Sequence, residues 1–391
     1  MKDFVYYTPT KVYFGKEADK DVGGVLKGLG ATKVLIVYGG GSVKRSGLFD
    51  KVAASITGAG LSLIEKGGVE PNPRLPFVRE CVDLIKAEGV DFVLAVGGAS
   101  ALDTAKIAAI ATACECDPWD LVSAKVVPDK RLPFGVVLTI AAAGSEMSNS
   151  AVISNPETNI KRGLTSDLNR PVVAFLNPEN TFSVSKYQTG CGIVDTMMHT
   201  FERYFTDDID NDLTERIAEG LLVAVKNAGS IAINDPNDYE SRATLLWASS
   251  LSHNGLTGCG KSPFGFPAHQ ISHSLGGRFD TAHGAALSVI FPAWMKYVYK
   301  NNISLFARFA VNVWGVPMNY DHPEVTALAG IDAMKTYFKS LDMPVTMSEL
   351  GIGPEYFEEL AELTTWNGAR TVKSFVPLNK EEIVEIFKLA E

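Results

Sequence analysis

The first half of the chain alternates short, wholly apolar runs with longer segments of helical period. "KVLIVY" (Lys33–Tyr38), "FVLAVGG" (Phe92–Gly98), "FGVVLTI" (Phe134–Ile140) and "PVVAFLN" (Pro171–Asn177) are rich in β-branched residues and too short for helices. They are predicted as strands buried on both faces. "LPFVRECVDLIKAEG" and "SALDTAKIAAIATA" fall between them and carry helical spacing. Strands alternating with helices imply a mostly parallel sheet covered on both sides. The N-terminal "FVYYTPTKVYFG" is strand-like and suits a sheet edge. From about Ser183 the strand signal fades. "SKYQTGCGIVDTMMHTFERYF", "DLTERIAEGLLVAVKNAGSIAI", "YESRATLLWASSLSHNG", "ISLFARFAVNVWG" and "EVTALAGIDAMKTYFKSL" all read as helices. The expectation is an α/β, Rossmann-like domain over residues 1–182, a break at the turn-rich "NPENTFS", and an all-α domain over 183–391.

Three predicted strands run into loops of small residues. "AVGGASALDTAK" ends a strand and opens a helix. Gly97, Gly98, Ala99 and Ser100 let the backbone approach a phosphate, which the helix N–H groups and dipole then hold. "VYGGGSVKRSG" repeats the device one unit earlier with Gly39, Gly40, Gly41 and Ser42, and "TIAAAGSE" leaves a third strand. Loops at the carboxyl ends of parallel strands form the usual nucleotide crevice. None matches G-x-G-x-x-G, and "GLG" at 28–30 precedes a strand and reads as a turn. After the strand ending at Tyr38 no acidic residue occurs before Asp50. A carboxylate there favours NAD through the ribose 2′-OH. Its absence, with Ser42 and Lys44 or Arg45 at hand, leaves room for a 2′-phosphate and points to NADP(H).

Composition narrows the classes. The 391 residues are 46% hydrophobic and 21% charged, as in a soluble globular protein. No apolar run reaches membrane-spanning length and the N-terminus lacks a secretory pattern, so a cytoplasmic location without membrane association is expected. A net charge of −9 speaks against nucleic acid as partner. Five scattered cysteines fit reduced thiols, and "CEC" at 114–116 lacks zinc-site spacing. The acidic run Asp207–Asp212 lacks the glycine and distal glutamate of an EF-hand and reads as a solvated loop.

Three of the six histidines crowd into "AHQISHSLGGRFDTAHG". His269 and His273 stand four apart, as do Asp195 and His199 in "VDTMMHTF", so each pair shares a helix face. Two helices presenting such pairs from apolar surroundings make a metal cage. With His283, the set suits Zn²⁺ or Fe²⁺. Spacing alone leaves open whether His269 or His273 is a ligand. His253 and His322 have no partners in sequence and read as structural.

In order, "PTKVYFG", "GGVEPNP", "GGASALDTAK", "LTIAAAGSE", "DTMMH", "HQISHSLGGRFDTAHG" and "FPAWMKYV" resemble the iron-containing (group III) alcohol dehydrogenases over nearly the whole chain, the NADP-dependent butanol dehydrogenase and aldehyde reductase branch above all. The resemblance implies a dehydroquinate synthase-like architecture: a dinucleotide-binding domain, a helical metal-binding and catalytic domain, and a divalent metal in the cleft between them. It implies Asp195, His199, His269 and His283 as ligands, with His273 the nearby proton-handling residue. The cofactor set it implies is Gly39, Gly40, Gly41, Ser42, Asn72, Gly97, Gly98, Ala99, Ser100, Asp103, Thr139 and Lys161. Two positions depart from the family pattern: Ala99 replaces the third glycine of G-G-G-S, and Ala143 replaces the threonine of T-G-S-E. Phe264 and Phe266 are candidates for shaping the substrate pocket.

The expected activity is hydride transfer between NADP(H) and a small primary alcohol or aldehyde such as butanol or butanal, by a metal-dependent homodimer. Alternatives are a glycerol dehydrogenase-like polyol oxidoreductase, a dehydroquinate synthase-like lyase and a non-catalytic nucleotide sensor. The lyase needs basic residues around a polyanion, and "GFPAHQISHSLGG" offers few.

Overall fold

The computed structural model describes residues 1–158, 160–208, 211–262 and 265–391. Phe264 and part of the acidic run Asp207–Asp212 lie outside them. Contacts divide the chain into two compact units. One comprises Tyr7–Val184 with Ser249–Asn254; the other comprises Met1–Tyr6, Ser185–Ala248 and Gly255–Glu391. A single cut after residue 182 thus misses two segments: the first six residues go with the helical unit, and the end of one helix goes with the α/β unit.

The α/β unit holds a six-stranded parallel sheet. Its strands are β1 (Lys11–Phe14), β2 (Lys33–Tyr38), β3 (Ser62–Gly67), β4 (Phe92–Gly97), β5 (Phe134–Leu138) and β8 (Val173–Leu176). The order across the sheet is β1-β8-β5-β4-β2-β3. β6 (Ser150–Asn155) and β7 (Ile160–Thr165) form a separate antiparallel pair. β4, β5 and β8 are buried along their whole length, as continuous apolar runs in a covered sheet must be. Val34, Ile36, Phe92, Leu94, Val96, Val137 and Phe175 pack against Val22, Leu26, Val52 and Ile56 in one core. The segments "LPFVRECVDLIKAEG" and "SALDTAKIAAIATA" form the helices Leu75–Glu88 and Ala99–Cys114. Gly89, in the left-handed conformation, stops the first of these.

Two features depart from the sequence reading. The N-terminal strand is only Lys11–Phe14, paired with β8 at the sheet edge. The strands β3, β6 and β7 carry no continuous apolar run: "SLIEKG" is an edge strand bearing Glu65 and Lys66.

The second unit is helical. Lys186–Tyr204, Asp212–Ala232, Tyr239–His253 (up to Ala248), Pro267–Phe279, His283–Val298, Ile303–Trp314 and Pro323–Ser340 are its main helices, followed by Phe357–Thr365 and Lys380–Leu389. The apolar stripes converge on Phe201, Phe205, Phe291, Trp294, Phe306 and Phe309. Each such fully buried ring contributes about 1.5–3 kcal/mol. No helix among the described residues is long and apolar enough to cross a membrane.

Candidate metal centre and nucleotide loops

The helix Lys186–Tyr204 is buried from Thr189 to Tyr204, so its polar residues need partners there. Asp195 and His199 lie one turn apart. His199 Nδ1 stands 2.9 Å from the Asp195 carbonyl oxygen. A carbonyl only accepts, so Nδ1 carries the proton and Nε2 keeps its lone pair. The helix Pro267–Phe279 starts behind Phe266, which is left-handed at φ 52°, and Pro267 occupies its first turn. This start delivers His269 to the same place. Its Nε2 lies 3.7 Å from Asp195 Oδ1, and its ring centroid is 4.6 Å from that of His199.

His283 opens the helix His283–Val298, with Nε2 3.8 Å from Asp195 Oδ1. Gly284 makes this approach possible. A Cβ at Gly284 would stand 2.2 Å from the Cys191 carbonyl oxygen, so the two helix backbones meet directly. The glycine serves backbone contact rather than space beside the imidazole. His273, half-buried one turn beyond His269, has its ring centroid 5.9 Å from that of His283. Phe266 lies against the cluster, its ring centroid 5.3 Å from His269 and 6.3 Å from His199.

One ligand atom from each of Asp195, His199 and His269 falls within a 4.8 Å span. Asp195 Oδ1 and His269 Nε2 are buried without a hydrogen-bond partner. Orphaned buried polar atoms cost about 1–3 kcal/mol each, and a cation facing both lone pairs removes that cost. The N/O donor set fits Zn²⁺ or Fe²⁺. The charges point the same way. Burial works against ionisation of Asp195, but His199, His269 and His283 outweigh it and hold the carboxyl well below its usual range. Burial pushes His199 down to about 3. For His269 burial also opposes the charge, yet Glu202 and Asp195 bring the imidazole up to about 9, so without a metal Nε2 holds a proton, and a cation bound there would take that proton's place.

Glu202 was missed in the sequence. It lies three residues after His199, on the same face, and that spacing was the available signal. Its Oε2 contacts His269 Nδ1 and its Oε1 accepts the Ala268 N–H at 2.6 Å. The side chain is fully buried.

In the α/β unit the glycine loops follow β2 and β4. Gly98 precedes the helix Ala99–Cys114, whose first turn, from Ala99 and Ser100, has no side-chain cap. Gly41 is left-handed at φ 96° and leads into Ser42–Arg45. A Cβ at Gly39 would touch only the Val69 carbonyl oxygen, at 3.4 Å, and one at Gly40 would meet nothing. Lys44 is partly neutralised: its Nζ is 2.7 Å from Glu65 and 4.5 Å from the centre of the Phe49 ring. Asn72 and Lys161, far apart in sequence, meet at 2.9 Å. Thr139 follows β5 and its N–H bonds the Gly97 carbonyl. Asp103 spends both oxygens internally, on Ser145 Oγ at 2.8 Å and Val152 N–H at 2.9 Å. His253 is not solitary: Nδ1 donates to the Ala143 carbonyl at 2.7 Å and Nε2 is 3.3 Å from Ser150 Oγ, clamping the "TIAAAGSE" loop.

Residues 9–178 match the family model of iron-containing alcohol dehydrogenases, and residues 189–390 match the C-terminal model of Fe-containing alcohol dehydrogenases. The chain is 40% identical to NADH-dependent butanol dehydrogenase A of Clostridium acetobutylicum, over 99% of both chains. It is 35% identical to the NADPH-dependent aldehyde reductase YqhD of Escherichia coli, over 90% of both. The solved structure of an NADH-dependent butanol dehydrogenase A from Thermotoga maritima superposes with a TM-score of 0.96 at 37% identity, covering 100% of this chain and 99% of that one.

Proposed function

The chain belongs to the iron-containing alcohol dehydrogenase family and is an alcohol dehydrogenase or aldehyde reductase using a nicotinamide cofactor and a divalent metal; from that premise we propose how its own residues divide the work. Asp195, His199, His269 and His283 hold one Fe²⁺ or Zn²⁺ ion. The observation that carries this reading is the pair of orphaned buried atoms, Asp195 Oδ1 and His269 Nε2, 3.7 Å apart. When bound, the ion supplies Lewis-acid polarisation of the substrate oxygen. The nicotinamide, when bound, would supply or take up the hydride exchanged with the substrate carbon. His273 exchanges the hydroxyl proton, supported by its half-buried position beside His283. Phe266 gives the site an apolar wall suited to a short alkyl chain, so the substrate is a small primary alcohol or aldehyde such as butanol or butanal.

The loops Gly39–Ser42 and Gly97–Ser100, with Asn72, Thr139 and Lys161, cradle the dinucleotide, and Asp103 ties the helix Ala99–Cys114 to Ser145 and Val152. NADP(H) is the preferred cofactor. Relatives named for NADH and for NADPH both exist; what supports NADP(H) here is the lack of a carboxylate after β2 and the open space around Gly39 and Gly40. A homodimer, in the cytoplasm, completes the reading. Phe4, Val5, Tyr6 and Tyr7 are exposed, Val5 by 94%, and β1 is a sheet edge. The test is loss of reduced-nicotinamide absorbance with butanal, run in parallel with NADPH and NADH. Turnover with butanal and higher kcat/KM with NADPH is the expected result. No turnover across a panel of short aldehydes and alcohols overturns the substrate reading.

A further inference from the structure

We propose that Glu202 is the positioning residue of the metal centre, fixing the tautomer of His269 and supplying the second negative charge of the site. The inference rests on the metal reading given above and adds a residue outside the proposed ligands Asp195, His199, His269 and His283. His269 can offer Nε2 as a donor atom only if the ring proton sits on Nδ1. For His199 a backbone carbonyl imposes that tautomer. For His269 the group in contact with Nδ1 is the carboxylate of Glu202. Such a partner orients the ring and raises its basicity as a ligand.

The second oxygen is committed as well. Glu202 Oε1 accepts the Ala268 N–H at 2.6 Å, in the first turn of the helix Pro267–Phe279. That N–H is one of the donors a helix start leaves unsatisfied. Glu202 therefore caps the helix that carries His269 and holds the His269 ring with the same group. Both of its oxygens must accept. A carboxylate does so; an amide cannot, because one of its two positions is a donor and would confront either Ala268 N–H or His269 Nδ1–H. A capping role alone would be met by Oε1 and leaves the contact to the ring unexplained.

Charge gives an independent argument. Asp195 and Glu202 are both buried, with side-chain exposures of 8% and 0%. Two buried carboxylates near three imidazoles outweigh the one buried guanidinium, Arg203, whose charge bears on His199, so with the histidines neutral the site is anionic and favours a cation. Glu202 also borders a cavity of about 180 Å³ lined in part by Phe205, Trp294 and Phe375, which gives a small anion a place to enter.

The experiment titrates Co²⁺ into metal-free full-length protein, following the visible ligand-field spectrum, for the wild type, Asp195→Ala, Glu202→Gln and Glu202→Ala, the last with and without formate. Glu202→Gln should weaken Co²⁺ binding about 10–100-fold and alter the spectrum, as expected when a carboxylate behind a ligating histidine is lost. Formate should restore part of the affinity to Glu202→Ala and none to Asp195→Ala. Wild-type affinity and spectrum in Glu202→Gln would overturn the inference. If Glu202→Gln does not fold, Glu202→Ala decides, and failure of formate to restore binding overturns it. A wild type that binds no Co²⁺, or an Asp195→Ala variant that binds as well as wild type, would instead refute the metal reading on which the inference rests.

Discussion

Gly284→Ala adds one methyl group at the point where two helices touch. An alanine Cβ would stand 2.2 Å from the Cys191 carbonyl oxygen and 2.5 Å from Cys191 Cα. Ordinary contact begins near 3.4 Å, so the helix starts must separate by about 1.2 Å. The obstructing atoms are backbone, and neither rotamer change nor a flexible side chain relieves them. Overpacking of this kind costs about 1–3 kcal/mol, which for a unit of this size lowers Tm by roughly 2–12 °C. The functional effect should exceed the structural one. His283 is the first residue of the moving helix and Asp195 lies one turn along from Cys191 on the other, at 3.8 Å in the native arrangement. A displacement of about 1 Å at a reacting centre costs on the order of 10²-fold in rate. The assay is kcat/KM for butanal reduction, with metal content and thermal denaturation measured on the same preparation. The expected result is a folded protein, down about 10²-fold, with weakened metal retention. Wild-type activity and metal content in Gly284→Ala would refute the claim that this backbone contact sets the position of His283.

Three further outcomes are expected. His273→Ala should keep its metal and lose about 10²-fold in kcat or more, as for removal of a general acid/base; loss of metal in this variant would show that His273 is a ligand. Gly39→Asp has room for its Cβ and should move the kcat/KM preference from NADPH toward NADH; better use of NADH by the unmodified protein would contradict the reading of that loop. Light scattering at micromolar concentration should give a dimer, and a monomer would refute the homodimer.

The covered strands were legible because their environment is uniform. "KVLIVY" and "FVLAVG" meet apolar neighbours on both faces and say so residue by residue. "SLIEKG" lies at the sheet edge, half in solvent, and its mixed composition records that exposure rather than the backbone conformation. The side-chain cluster proposed to hold the metal was legible where its residues share a helix: Asp195 with His199 by spacing, and Glu202 by an extension of that spacing that went unread. The role of Gly284 was not legible, because it depends on how closely two separate helices approach. The same holds for His253, whose partners Ala143 and Ser150 lie more than 100 residues away in sequence.

The most direct test of the account is metal stoichiometry paired with turnover on the same samples, for the wild type, His269→Ala and His283→Ala. One divalent ion per chain is expected in the active wild type, with metal and activity lost together in both variants and recovered in the wild type alone when Zn²⁺ or Fe²⁺ is restored to chelator-treated protein. Dinucleotide binding should survive in the variants, because Asp195, His199, His269 and His283 belong to the helical unit and the glycine loops to the other. Full turnover by wild-type protein shown to be free of metal would contradict the central claim.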